Sequence, residues 1–433
     1  MDARLSDIVA VMVSVSVDGP YSYRVPYGMA VTRGSIVAVP LVGRATLGVV
    51  WGEPKDNYAH NRLKDIEHIY DVPPLSEELL RTVDWVSRYT LAPPGLVLRS
   101  VLRSSEALLP ERQVVAFRRT GLVPDRLTPA RARVLETVAD GLAWAKTAIV
   151  GASGVSPAVV EGLEKAGALQ RLEVPAPPIA LPPDPDAAPP ALSREQQVAL
   201  TQIRGLDVQK FGVALLDGVT GGGKTEVFFE AVADTLRAGR QALVLLPEIA
   251  LTHTFLERFT RRFGTRPAEW HSDMTPAQRA RTWRGINAGT VRAVVGARSA
   301  LFLPFHELGL IVLDEEHDGA YKQSDGVNYH ARDMAVVRAR FAEARVILSS
   351  ATPSVESRNN ANLGRYRHVL LTSRFAEAGL PDITALDMRE EPPEKGQWIA
   401  PRLAREVFAT LDRGEQALLF LNRRGYAPLT LCR

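Results

Sequence analysis

Eight residues, Gly218-Val-Thr-Gly-Gly-Gly-Lys-Thr225, have the types and spacing of a loop that closes around a phosphate, G-x-x-x-x-G-K-[ST]. Gly221, Gly222 and Gly223 let backbone N–H groups converge on an anion with no Cβ in the way. The helix after the loop turns its positive dipole end toward the same point. Lys224 supplies a compact charge for β/γ-phosphates, and Thr225 a hydroxyl for Mg²⁺. Farther on, Ile311-Val-Leu-Asp-Glu-Glu-His317 is an apolar run ending in carboxylates. Asp314 there suits a Mg²⁺ ligand, and Glu315 suits a group that orients or deprotonates water. An acidic strand end by itself is usually a solvated cap. Together with a phosphate loop upstream in the same sheet, it reads as the metal side of a nucleotide site. Ser350-Ala351-Thr352 is a common tripeptide that gains weight only from its place after the next apolar run.

These groups need a sheet to hold them. Residues 212–216, 241–246, 291–295, 308–313 and 345–348 read as buried strands. Helices such as 224–237, 251–263 and 276–288 lie between them. Strand and helix in alternation predict a parallel sheet covered on both faces, with ligands at the carboxyl ends of the strands. A further block from about residue 373 holds a helix over 400–411 and an apolar strand over 416–421. Upstream, 8–17, 21–25, 35–41 and 46–51 alternate apolar and polar positions between turns, as in a small barrel or sandwich. Helices are expected over 76–89 and 95–102. Residues 127–174 read as three short helices plus strand, a winged-helix pattern, with Thr128 as N-cap and Pro129 at the first helical position. Eight prolines between Pro175 and Pro190 predict an extended spacer and the clearest boundary.

At 433 residues, 46% hydrophobic and 23% charged, the chain has the composition of a globular protein of several domains. No tract is apolar enough to span a bilayer and no export signal is visible, so no membrane partner is expected. The single cysteine, Cys432, excludes an internal disulfide framework and fits a reducing cytoplasm. A net charge of +3 permits an anionic polymer as partner without demanding one.

In order along the chain, Gly218–Thr225, Asp314-Glu-Glu-His317 and Ser350-Ala-Thr352 resemble the motor motifs of superfamily-two DNA helicases. Longer stretches narrow this to the PriA-type primosomal helicases: 215–227, Leu246-Pro-Glu-Ile-Ala-Leu-Thr252, Val295-Gly-Ala-Arg-Ser-Ala-Leu-Phe302, 314–323, Tyr329-His-Ala-Arg-Asp333 and Phe420-Leu-Asn-Arg-Arg-Gly-Tyr-Ala-Pro428. Pro20-Tyr-Ser-Tyr-Arg-Val-Pro-Tyr-Gly-Met29 is similar to the start of that family's N-terminal domain, which caps the 3′ end of a nascent strand.

The resemblance implies a multidomain α/β chain. Its parts are a β-barrel-like 3′-DNA-end-binding domain at 1–106, a winged-helix domain at 107–174, a linker at 175–190, a RecA-like lobe at 191–372 and the start of a second lobe at 373–433. It implies ATP and Mg²⁺ as cofactors, with ATP held by Gln196 (reading the adenine edge), Gly218, Gly221, Gly222, Gly223, Lys224 and Thr225. Mg²⁺ would sit on Thr225 and Asp314. His317 would couple nucleotide state to Ser350, Ala351 and Thr352. Tyr321, Tyr329, His330 and Arg332 would lie in an aromatic-rich loop that senses DNA, a role suited to groups that stack on bases irrespective of sequence. Arg298 and Ser299 would contact the strand backbone, and Tyr21, Ser22, Gly34 and Lys64 would line the 3′-terminus pocket. The implied activity is ATP-dependent 3′-to-5′ unwinding at stalled or forked DNA. Implied partners are forked or single-stranded DNA, primosome proteins, the replicative helicase loader and single-strand DNA-binding protein.

The sequence departs from the family pattern in three ways. Ser22 stands where aspartate is frequent, and Gly222 where serine is commoner. The family also continues past Cys432, here a candidate first zinc ligand, through a cysteine-rich Zn²⁺ insertion and an arginine finger. An N-terminal portion with slow or absent turnover is therefore expected. A non-catalytic fork-binding scaffold and an unrelated phosphate-loop enzyme are the alternatives.

Overall fold

A computed structural model describes residues 7–54, 63–111, 113–247, 253–373, 382–393, 396–397 and 399–420. They fall into two compact units, divided between Ala376 and Glu377.

The first unit begins with strands β1 (Ile8–Val13), β2 (Tyr21–Arg24), β3 (Ile36–Leu41), β4 (Arg44–Gly52) and β5 (His68–Ile69). They form one antiparallel sheet of order β2-β1-β4-β3-β5. Its edges meet through an Arg24–Asp65 bridge just upstream of β5, with Arg24 N donating to Lys64 O at 2.9 Å. Alternation decides which face each residue serves. Val9, Val11 and Val13 pack with Tyr23, Val37 and Val39, whereas Met12, Ile36, Val49 and Trp51 face helices α1 (Glu77–Thr90) and α2 (Pro94–Val101).

Strand β6 (Val114–Arg119), helix α3 (Pro129–Thr137), strand β7 (Trp144–Ala145), helices α4 (Lys146–Ser153) and α5 (Pro157–Lys165) and strand β8 (Leu169–Val174) come next. The strands pair as β7-β6-β8 around a core of their own, built on Phe117, Val134, Ile149, Val160 and Leu163. The Thr128 side chain accepts from Arg131 N at 3.3 Å and so fixes the start of α3. The proline-rich segment does not stand free; it lies against the large parallel-sheet layer. Asp184 N donates to Phe263 O at 3.0 Å, Arg262 Nη2 to Pro185 O at 2.8 Å, and Asp186 pairs with Arg237 at 2.7 Å.

That layer carries α6 (Arg194–Arg204), β9 (Gly212–Gly218), α7 (Lys224–Arg237), β10 (Gln241–Leu245), α8 (His253–Phe263), β11 (Ala268–Trp270), α9 (Pro276–Asn287), β12 (Ala293–Gly296), β13 (Leu308–Asp314), a β14 (Lys322–Gln323) and β15 (Tyr329–His330) pair, α10 (Ala331–Phe341), β16 (Arg345–Ser350), α11 (Val355–Asn362) and β17 (Arg367–Leu371). Seven strands form a parallel sheet, β11-β12-β10-β13-β16-β9-β17, as the alternation of strand and helix predicts. Its central strands are buried along their length, which explains their unbroken apolar runs.

This layer and the amino-terminal region share one core. Leu79, Val83, Val97 and Val101 pack in the same cluster as Trp283, Met334 and Ala335. Arg338, fully buried, forks onto the Glu78 carboxylate at 2.8 and 3.2 Å. Trp283 Nε1 donates to Val101 O at 2.9 Å, and Asn287 Nδ2 to Pro73 O at 2.8 Å.

In the second unit, α12 (Pro401–Asp412) agrees with the expected helix. The described part of the strand expected over 416–421 does not form: residues 416–420 take no regular structure, and Leu418 and Phe420 are exposed. An apolar run becomes a strand by pairing, and no other strand is present among the described residues of this unit. Residues 248–252 and the rest of the 420–428 motif lie outside the described residues, as does Cys432.

Candidate functional site

The register of the sheet sets the chemistry. Asp314 at the end of β13 lies opposite Ser349, and Ser350 opposite Asp217, the residue before the phosphate loop. Adjacent strands stand about 4.8 Å apart, so the acidic end lies two strands, roughly 10 Å, from the loop. That span suits a phosphate chain with its metal.

Gly221 and Gly223 have φ of +78° and +79°, the left-handed conformation that the glycine run permits. At Gly223 a Cβ would lie 2.0 Å from Gln196 Nε2, so any other residue would displace that side chain and strain the left-handed backbone. Lys224 is buried, and its Nζ donates to Gly218 O at 2.8 Å and Val219 O at 3.4 Å. An anion in the loop would take over those bonds. Gln196 completes a capping box with Ser193 and donates from Nε2 to Gly222 O at 3.1 Å. Its amide thus braces the loop from beneath and is not the free adenine-reading edge that the family resemblance implies.

Asp314 Oδ1 accepts from Ser349 Oγ at 2.8 Å and Glu315 N at 3.2 Å. Its other oxygen, like the Thr225 hydroxyl, has no hydrogen-bond partner among the described residues. Two unspent hard oxygen donors facing a phosphate cradle fit Mg²⁺. Burial pushes the Asp314 carboxyl above the usual range, against the Ser349 hydrogen bond and the Lys224 charge. Glu315 is also raised, by burial and then by Asp314. Its φ of +48° places a non-glycine residue in the left-handed region, local strain of a kind found where a side chain is being aimed.

His317 and the Ser350-Ala351-Thr352 stretch lie in contact. His317 Nδ1 lies 2.8 Å from Ser350 Oγ, which accepts from Thr352 N at 3.0 Å, and the Ala351 N–H is directed at the Glu315 carboxylate.

Two groups have no role in the sequence reading. Glu316, fully buried, accepts from Ser354 N at 2.7 Å, Ser354 Oγ at 3.0 Å and Ser357 Oγ at 2.9 Å, and pairs with Arg332 at 3.4 Å. Asp217 holds His368 Nε2 at 2.9 Å and Arg358. Glu316 has a visible signal, a third acid on a strand end that turns back into the core. Asp217 has none, because Arg358 and His368 lie far off in sequence.

The aromatic loop requires a correction. Tyr321 is 1% exposed, and its hydroxyl donates to Leu245 O at 2.9 Å or Asp314 O at 2.7 Å. Tyr329 is 8% exposed and meets Phe302 edge-on at 5.3 Å. Arg332 is spent on Asp333, Glu316 and Ser354. None of the three presents a face on which a base could stack. The Asp318-Gly-Ala-Tyr-Lys-Gln323 stretch looks like a surface loop because its polar residues face out, yet its tyrosine closes the sheet end. His330 is half-buried; its Nδ1 has no partner among the described residues, and burial lowers its pKa.

Arg298 and Ser299 do reach the surface, on a short 3₁₀ turn (Arg298–Phe302). Tyr21 and Ser22 lie on β2 and Lys64 lies beside Arg24 at its other end. Gly34 N donates to Val50 O at 2.8 Å, and its backbone lies against that of Leu75. A Cβ on it would meet Leu75 O at 2.2 Å, so this glycine serves the close approach of the 75 backbone.

Residues 10–103 match the 3′DNA-binding domain (3′BD) of PriA, and residues 193–361 match the DEAD/DEAH box helicase family. The replication restart protein PriA of Rickettsia conorii is 48% identical over 244 residues, 56% of this chain and 37% of its own length. That of Haemophilus influenzae is 33% identical over 440 residues, 98% of this chain and 60% of its own length. That of Bacillus subtilis is 42% identical over 247 residues, 57% of this chain and 31% of its own. The chain thus spans between about a third and three fifths of these relatives. An amino-terminal match to an end-binding domain, a helicase match over the phosphate loop and acidic strand, and identity along nearly the whole chain agree: the chain belongs to the PriA family of replication restart proteins.

Proposed function

We propose that the protein of which this chain is a part is an ATP-dependent 3′-to-5′ DNA helicase that binds stalled or forked DNA and begins primosome assembly. The observation that supports this reading most is the chain of contacts from Asp314 and Glu315 through His317 to Ser350 and Thr352. Such a chain lets the state of a nucleotide move the segment that starts α11. ATP would supply the phosphoryl group, with Lys224 and the loop N–H groups holding its phosphates and Thr225 and Asp314 its Mg²⁺. In the family arrangement Glu315 orients water, and burial, with Asp314 beside it, raises its pKa and so makes it a stronger proton acceptor.

We further read the amino-terminal sheet as barrel-like and residues 107–174 as a winged helix. Tyr21, Ser22 and Lys64 are then strand-end ligands, Arg298 and Ser299 backbone ligands, and the cytoplasm the compartment. One cysteine does not complete a four-ligand site, so Zn²⁺ would be held by the longer protein, with Cys432 as a first ligand. Primosome proteins, a helicase loader and single-strand DNA-binding protein remain partners proposed for the longer protein. The test is nucleotide binding and hydrolysis with and without forked DNA. ATP affinity that is lost in Lys224→Ala, with fork affinity kept, supports the reading. Unchanged ATP affinity in that variant, or no affinity for forks in the parent, sinks it.

A further inference from the structure

A cavity of about 260 Å³ opens at the carboxyl ends of β10, β11 and β12, away from the phosphate loop. Arg103, Arg279, Arg298, His271, Ser299 and Gln323 line it, and no aspartate or glutamate among the described residues does. Its guanidiniums have no carboxylate partners among the described residues. Arg298 donates to Ala320 O and Lys322 O at 2.8 and 2.7 Å, and Arg279 to Ser272 O and to His271 O at 3.4 Å. Arg103 is exposed and has neither ion pair nor hydrogen bond among the described residues. Elsewhere in the same layer, Arg204, Arg237, Arg258, Arg262 and Arg332 all meet carboxylates. Three uncompensated cations around one concavity make a site for an anion.

Arg103 comes from a different region than the others, and the structure explains how it arrives. Trp283 stands one turn beyond Arg279 on α9, and its indole grips Val101 O two residues before Arg103. Leu102 is buried, and Arg284 Nε on the same helix donates to Ala107 O at 3.2 Å. The contact that docks the amino-terminal region therefore also sets Arg103 beside Arg279.

The geometry points to a composite phosphate site in which Arg103 of the amino-terminal region and Arg279 of α9 join Arg298 and Ser299 on one phosphodiester of a single strand. This rests on the proposed function, and it adds ligands from outside the motor layer. A strand held there bridges the end-binding region and the motor, so that one phosphate registers both. The chemistry is shared by free phosphate. The strand is favoured because the site is open to solvent rather than enclosed and is lined by fork-shaped donors, which suit a phosphate that continues into a chain.

The test uses the 433-residue chain and a fluorescent oligothymidylate, with affinity measured against salt. Arg103→Gln with Arg279→Gln lowers the slope of log affinity against log salt by about 0.7, the value for one lost contact on a single strand, and weakens binding several-fold at moderate salt. Arg103→Lys restores most of the slope. A slope in the double variant equal to the parent's overturns the proposal while leaving the function intact. Inorganic phosphate is the second arm: if it raises the Tm of the parent but not of the double variant, and the strand slope is unchanged, the site belongs to free anion and the proposal falls. If the parent itself binds no strand, the functional reading fails, and this site with it.

Discussion

The nucleotide edge of the sheet and the aromatic loop beside it carry equally recognisable residues, yet they resolve in opposite ways. At the nucleotide edge, Lys224, Thr225, Asp314 and Glu315 gather at one end of the sheet, with one Asp314 oxygen and the Thr225 hydroxyl unspent among the described residues. In the loop, Tyr321, Tyr329 and Arg332 turn inward, and Tyr321 and Arg332 spend their polar atoms on the motor itself. A motif fixes where a side chain lies along the chain, whereas packing decides which way it looks. Tyr321 bridges the ends of β10 and β13 at the carbonyls of Leu245 and Asp314, and Arg332 holds the acid two residues later. The loop is thus wired to the ATP side. In this state it could report on DNA only through rearrangement, not by lending a stacking face.

Four measurements would break or sharpen that contrast. Arg332→Ala leaves Glu316 buried without its cation and is expected to cost about 3–5 kcal/mol in stability. Denaturant unfolding checks this, and an unchanged midpoint would return Arg332 to a surface role. Lys224→Ala should reduce nucleotide affinity by about 100-fold, or roughly 3 kcal/mol, with little loss of stability, in calorimetric titration. Tyr321→Phe removes one donor from two buried carbonyls and should cost about 1–3 kcal/mol, while single-strand affinity stays within about twofold. The reverse outcome, weakened DNA binding at constant stability, would put the ring on the DNA.

The smallest effect concerns Asp314. Its folded-state pKa is raised, so ionisation costs stability above that pKa, and the cost is relieved as pH falls through it. Asp314→Asn should therefore raise Tm slightly at neutral pH, and the gain should shrink on acidification. MgATP affinity of the parent should decline at a higher pH than an ordinary aspartate would give, since Mg²⁺ needs the carboxylate.

The parallel sheet is legible in the sequence because β10, β13 and β16 are buried throughout and leave unbroken apolar runs. The phosphate loop is legible because glycine, lysine and threonine have few other reasons to stand at that spacing. Gln196 reads as a nucleotide ligand by resemblance, but a glutamine at the third helical position competes for its own cap, and the cap holds it here. Gly34 reads as a pocket residue by resemblance alone, and its close approach to the Leu75 backbone leaves no trace in local sequence. The strand expected over 416–421 rests on an apolar run, and such a run carries no information on whether a partner strand is near. Glu316 and Asp217 depend on Ser357, Arg358 and His368, contacts that no local spacing encodes.

The shared core of α1, α2 and the motor layer has a thermodynamic corollary. A buried Arg338–Glu78 pair and a continuous apolar cluster leave no soft seam between those regions, so they should melt in a single calorimetric transition. The 114–174 segment, with a core of its own, has no such obligation and should exchange its amide protons at a lower free energy than the helices on either side. Heat would then separate this protein along a line that its order of domains does not suggest, with the first and third parts surviving as one body after the second has opened.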